Sequence, residues 1–148
     1  MKNFLKYFLL TLMLNLSQHL SFTQQIKIDS LLEAIENSDA DTAKTNLLNE
    51  LSLRYINQNS YPLGLKYAGM ALQLSRELNY DNGKATALKN FALAHYHIGN
   101  YRTMKEYLLQ ALPIRKKSGT NIQIAGVYSN LCVAYWSMGD YVNAQQSY

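Results

Sequence analysis

The chain repeats itself at a step of 40 residues: Tyr55, His95 and Tyr135 share one register, and Tyr61, Tyr101 and Tyr141 another. Leu51, Phe91 and Leu131 follow the same step, as do Asn59, Gly99 and Gly139. So do Gly64, Met104 and Ala144, with Ala71 and Ala111, Leu72 and Leu112, and Leu74 and Ile114. A fixed period of this size constrains the chain to a stack of like supersecondary units, each unable to bury its apolar face alone. Such stacks present surfaces more often than they carry chemistry.

Within a unit the apolar spacing is helical. Leu88, Phe91, Ala92 and His95 recur at three- and four-residue steps, and so do Met104, Tyr107, Leu108 and Ala111. Each set is the stripe of an amphipathic helix. Between the two stripes stands a short punctuation: Gln58-Asn59-Ser60-Tyr61, Ile98-Gly99-Asn100-Tyr101 and Met138-Gly139-Asp140-Tyr141. Gly or Asn tolerates the left-handed backbone that ends a helix. Ser, Asn or Asp then offers an oxygen to the orphan N–H groups of the next one. Pro62 falls in a first turn, where its missing N–H costs nothing. Pro113 falls inside a helix and predicts a kink. Each unit is a helix hairpin, and the fold class is all-α.

These residues resemble the tetratricopeptide (TPR) family. The third unit reads Leu131-Cys132, Tyr135, Gly139-Asp140-Tyr141, Ala144, Tyr148. The second reads Phe91-Ala92, His95, Gly99-Asn100-Tyr101, Met104, Leu108, Ala111, and the first Leu51-Ser52, Tyr55, Asn59-Ser60-Tyr61, Gly64, Ala68, Ala71. The resemblance implies a right-handed solenoid of antiparallel helix pairs. A family unit is about 34 residues, so the longer step implies longer second helices or connections. The repeats are expected at about 44–83, 84–123 and 124–148, within an array spanning 39–148.

The N-terminus reads as an export signal over residues 1–23. Lys2 and Lys6 make it basic, and residues 7–16 are mostly apolar. That run is about half of what spans a bilayer, which favours a cleaved segment over an anchor. Ser21-Phe22-Thr23 offers small residues for cleavage, so an exported, periplasmic or envelope location is expected. Removing Lys2 and Lys6 lowers the formal charge from +4 to +2. What remains is uneven: residues 51–120 carry ten Lys and Arg against Glu77, Asp81 and Glu106. The longest basic run, Arg115-Lys116-Lys117, closes a helix, where cations answer the C-terminal partial charge. Nucleic acid is not an expected partner of this segment. Cys132 is the single cysteine, so an internal disulfide is excluded, and its small-residue slot makes it a buried, inert thiol.

Ile28, Leu31, Leu32 and Ile35 predict a short helix within residues 24–38, starting near Asp29-Ser30, that caps the first hairpin. Asn37-Ser38-Asp39 ends it and Asp41-Thr42 opens the first repeat. Because the chain stops inside the second helix of repeat three, it is expected to be the front part of a longer protein. A membrane span would then lie only downstream.

Catalytic constellations are missing from the sequence. His95 occupies an aromatic slot and reads as a packed core residue, and His97 has no partner at metal-ligand spacing. No carboxylate pair, phosphate loop or nucleophile motif appears, so neither enzyme activity nor a metal or other cofactor is expected. The family resemblance instead implies a peptide- or protein-binding face built by the first helix of each pair. By register it would present Asn49, Leu53, Ile56 and Asn57; then Lys89, Asn90, Leu93, Tyr96 and His97; then Asn130, Val133 and Trp136. In that family such Asn side chains hold an extended peptide backbone. Tyr96 and Trp136 would share one groove as ligand anchors, or else fill space between repeats. The family's chaperone-tail clamp would need Lys at Asn49, Asn at Leu53, Asn at Asn90, Lys at Gly126 and Arg at Asn130; only Asn90 fits.

Residues 24–148 are also similar to the front of Bacteroidetes-type envelope sensor proteins. There a periplasmic TPR array precedes a membrane span and a kinase or DNA-binding output. That resemblance implies an input module for a signalling protein, with oligomeric state open. A stand-alone exported scaffold and an appendage to an enzyme remain the alternatives.

Overall fold

A computed structural model describes residues 25–147, together with Leu12. The segment read as an export signal lies outside the described residues except for Leu12, and so does Tyr148. The described residues divide after Glu36 into two units. In the first, residues 25–36 are the helix α1. It is already helical ahead of the expected Asp29-Ser30 start, because the Gln25 amide donates to Asp29 Oδ1 across one turn at 2.8 Å. Ile28 and Ile35 are its buried residues.

The second unit holds α2 (Thr42–Asn57), α3 (Tyr61–Glu77), α4 (Asp81–His97), α5 (Tyr101–Ser118), α6 (Asn121–Ser137) and α7 (Tyr141–Gln146). No strand occurs among the described residues. The helices pack as successive neighbours, α2 on α3, α3 on α4 and onward to α7, with α2 also against α4. The hairpins begin at Thr42, Asp81 and Asn121, slightly ahead of the expected 44, 84 and 124. Side-chain caps set the first and third of those starts. Asp41 Oδ1 accepts from Lys44 N at 2.8 Å, and Thr120 forms a reciprocal capping box with Gln123.

One link joins four of the five helix pairs. Asn59, Asn79, Gly99 and Gly139 have φ of 60°, 52°, 76° and 77°. In each, the next residue's N–H returns to a carbonyl five positions back: Ser60 to Tyr55, Tyr80 to Ser75, Asn100 to His95 and Asp140 to Tyr135. This six-to-one closure satisfies carbonyls that a helix end would otherwise orphan. The link at Asn79 joins two repeats; it has the left-handed Asn of the first link, but Tyr80 follows it in place of a capping Ser, Asn or Asp. Asn100 and Asp140 cap the following helices as expected, whereas the Ser60 side chain makes no capping bond. Pro113 does not end its helix, which runs on to Ser118.

Small residues let the helices approach. Ala68, Ala71, Ala85, Ala87, Ala94, Ala111 and Ala134 are fully buried. Around them Leu108 meets Ala92, Met104, Val127, Leu131 and Ala134, joining the second hairpin to the third. The aromatic register packs on the same principle, with Tyr55 stacked on Tyr67 at 5.5 Å and Phe91 on Tyr107 at 4.7 Å.

Arg115 departs from its expected role. It is buried, and its guanidinium donates to Asn82 Oδ1 and, at 2.8 Å, to Thr86 Oγ1, tying α5 to the start of α4. Its neighbours stay outside: Lys117 pairs with Asp81 at 3.3 Å, and Lys116 lies over the Tyr128 ring. Cys132 is only half-buried, because it faces a hollow beside Ser129 and Gln146.

Candidate functional site

The first helices α2, α4 and α6 follow the same register; α2 packs against α4, whereas α4 and α6 face each other across a hollow. Two hollows open between them. One, of about 480 Å³, is polar: Asn46, Asn49, Glu50, Leu53, Arg54 and Asn57 of α2 face Thr86, Lys89 and Asn90 of α4. The other, of about 350 Å³, is largely apolar: Lys89, Ala92, Leu93 and Tyr96 of α4 meet Asn130 and Val133 of α6, with Met104 of α5 at its base. Lys89 lines both hollows and so links them in one groove, whose lining residues are mostly polar on the α2 side and mostly apolar on the α6 side.

The groove gathers most of the residues expected there: Asn49, Leu53, Asn57, Lys89, Asn90, Leu93, Tyr96, Asn130 and Val133. Three lie elsewhere. Ile56 is fully buried, because its side chain fills the space that Gly64 leaves on α3. His97 is exposed but stacks on Tyr61 at 5.7 Å and meets Tyr96 edge-on at 5.3 Å. Trp136 does not share a groove with Tyr96. It stands one repeat further on, 65% exposed, with its ring edge-on to Tyr141 at 4.9 Å and Cys132 and Ala144 beside it.

Asn49 and Asn90 form the floor rather than the rim. The Asn90 amide donates to the Asn49 carbonyl at 2.8 Å, and the Asn49 amide to the Gly83 carbonyl at 3.1 Å. These bonds lock one repeat to the next. They leave Asn49 Oδ1 and Asn90 Oδ1 buried without a donor, and an unmet buried acceptor is costly enough to need an account. The sequence did not point to Asn46, Glu50, Arg54 or Thr86, nor to Ala92 and Met104. The signal for the α2 set was present: Asn46, Asn49, Glu50, Leu53 and Asn57 recur at three- and four-residue steps, a polar helical stripe.

Charge in the groove is one-sided. Among the described residues Glu50 is the sole carboxylate lining either hollow, and Arg54 holds it at 2.9 Å. Among the described residues no carboxylate pairs with Lys89. Nor do three His, Cys, Asp or Glu side chains come together closely enough to share a metal ion among the described residues.

His95 sits behind this face, stacked on Tyr107 at 5.6 Å with its Nδ1 buried and unpartnered. Burial lowers its pKa below the ordinary 6.5. The unfolded chain therefore takes up this proton first as pH falls. Stability from the neutral ring is intact above pH 6.5 and declines below it, down to the folded pKa. His95→Phe should flatten the fall in urea midpoint between about pH 7 and pH 5. An unchanged slope would place the acid sensitivity elsewhere.

No family model matches the chain, and no curated protein does. Solved structures match well. The TPR domain of Arabidopsis FLU superposes with a TM-score of 0.66 at 17% identity, over 72% of this chain and 90% of that one. BtubC (BKLC) from P. vanneervenii gives 0.67 at 17% identity, covering 73% of this chain and 45% of that one. At such low identity the likeness speaks for architecture alone. The described helices have the fold of tetratricopeptide domains, stacked helix hairpins in the register that the sequence displays.

Proposed function

We propose that this chain is a non-catalytic module that binds an extended segment of a partner protein in the groove between α2, α4 and α6. The single observation that carries this reading is the change of character at Lys89. An apolar hollow large enough for a Leu- or Phe-sized side chain adjoins a polar hollow suited to backbone and polar groups. Binding sites of this make-up combine an apolar anchor with a few placed polar groups. The fold shared with TPR domains supports the same reading.

The test is a fluorescence-anisotropy titration with a labelled dodecapeptide selected on the chain from a displayed random library. Tyr96, 39% exposed at the rim of the apolar hollow, is the anchor to remove. Tyr96→Ala should weaken binding about tenfold, as loss of a rim aromatic does, with the melting temperature unchanged. Full affinity in both Tyr96→Ala and Leu93→Ala would move the ligand off this groove and sink the reading.

The wider role we propose is the periplasmic input region of a larger envelope signalling protein. The basic, then apolar, N-terminal sequence and the resemblance of residues 24–148 to such sensors support it. A ligand lying across successive first helices would alter their spacing and so bias an output domain joined to the array. Reading the gene beyond the codon for Tyr148 tests this. A span of about 20 apolar residues succeeded by a kinase or regulator would support it. A stop codon after a capping helix would favour a stand-alone exported scaffold.

A further inference from the structure

We infer that the groove selects segments carrying an internal acidic side chain beside an apolar one, with Lys89 as the residue that reads the acid. This rests on the peptide-binding reading above and gives it a ligand chemistry. Lys89 is exposed, lines both hollows and has no carboxylate partner among the described residues. The one acid of the groove among the described residues, Glu50, is already held by Arg54. The groove thus carries an uncompensated positive charge at its midpoint. The excess of Lys and Arg over residues 51–120 adds a field of the same sign. A complementary ligand brings a negative group to that point.

The position of Lys89 decides the source of that group. Hollows continue on both sides of it, one over Leu53 and Asn57 and the other over Leu93 and Val133. A terminal carboxylate placed there would end the ligand halfway and leave one hollow empty. An Asp or Glu side chain within a continuous segment lets the chain run on in both directions. The adjoining apolar hollow then takes a side chain within a few residues of the acid, since alternate residues of an extended segment lie about 7 Å apart on one face.

The experiment is selection of a random dodecapeptide library, displayed with its C-terminus fused so that no free carboxylate is offered, on the wild-type chain and on Lys89→Glu. Wild type should enrich Asp or Glu within three residues of an apolar residue, and Lys89→Glu should enrich Lys or Arg at the same place. An amidated wild-type-selected peptide should bind Lys89→Gln and Lys89→Glu at least tenfold more weakly. Lys66→Glu, an exposed charge reversal on α3 outside the groove, should leave its affinity unchanged. Three results would overturn the inference while sparing the groove, provided Tyr96→Ala still weakens binding. They are enrichment without acidic bias, insensitivity to Lys89, and binding confined to peptides with a free C-terminal carboxylate. Failure to enrich any peptide both from this library and from one displayed with free C-termini, or affinity untouched by both Lys89→Glu and Tyr96→Ala, would overturn the inference and the groove reading together.

Discussion

Replacing Leu108 by Ala should cost about 3 kcal/mol, the usual range for a buried leucine, and lower the melting temperature by roughly 10 °C for a domain of this size. Leu108 has no exposed surface, and it sits where the second hairpin meets the third. Several of its neighbours are already small: Ala92 and Ala134 bring backbones close and have little side chain to move into a void. The cavity would persist, and a persisting cavity is what makes such truncations expensive. The next residue provides the control. Leu109, on the same helix, is 44% exposed. Leu109→Ala should stay within about 0.5 kcal/mol of wild type, as surface changes do. Melting curves by far-UV circular dichroism compare the two directly, and equal shifts for both would contradict the assignment of Leu108 to the junction between repeats. Because neighbouring units stabilise each other in a stack, Leu108→Ala should also broaden the transition as the third hairpin uncouples from the second.

The hairpins were legible in the sequence because the turn that makes them is written in local chemistry. A left-handed residue followed by a capping oxygen recurs at Gly99-Asn100 and Gly139-Asp140, and both act as that chemistry requires. Boundaries between repeats were less legible. Asn79 uses the same closure, but Tyr80 comes after it and gives no capping signal. The face of the site is readable by register, and register fixes which side of a helix a residue occupies without fixing its depth. Asn49 and Asn90 are on the right side yet lie on the floor, since α2 and α4 approach closely enough for an amide of one to reach a carbonyl of the other. Arg115 is invisible in the sequence as a structural residue for a similar reason. Its partners Asn82 and Thr86 are distant along the chain, and nothing near position 115 distinguishes it from the two exposed lysines beside it. Analogy of position puts Trp136 beside Tyr96, but equal register sets the two rings on successive repeats rather than in one hollow.

Ile56 shows how one substitution within a repeat redirects its neighbour, and it carries the second large effect. In the other two repeats its counterparts are Tyr96 and Trp136, both exposed, and the residues opposite them are Met104 and Ala144. Only in the first repeat is the opposite residue glycine, and only there does the side chain turn inward, to full burial. A Cβ on Gly64 would stand 2.5 Å from Ile56 Cγ1 and 3.3 Å from the Ser52 carbonyl oxygen. Helix propensity alone favours Gly64→Ala by about 1 kcal/mol. Cγ1 is anchored next to its own backbone, so it yields little, and overpacking of this kind costs typically about 1–3 kcal/mol. Gly64→Ala in the wild-type chain should therefore destabilise by up to about 2 kcal/mol once the propensity gain is subtracted from the overpacking cost. Ile56→Ala alone should cost about 3 kcal/mol as a buried truncation. Combined, the two should not add. With Cγ1 gone the new methyl occupies part of the vacated space, and Gly64→Ala becomes stabilising in that background, giving a coupling of roughly 2 kcal/mol between contacting residues. Urea titration of the four proteins measures the cycle. Additive costs would mean that Ile56 is buried for a reason unrelated to Gly64, and the account of why it left the binding face would fall with that result.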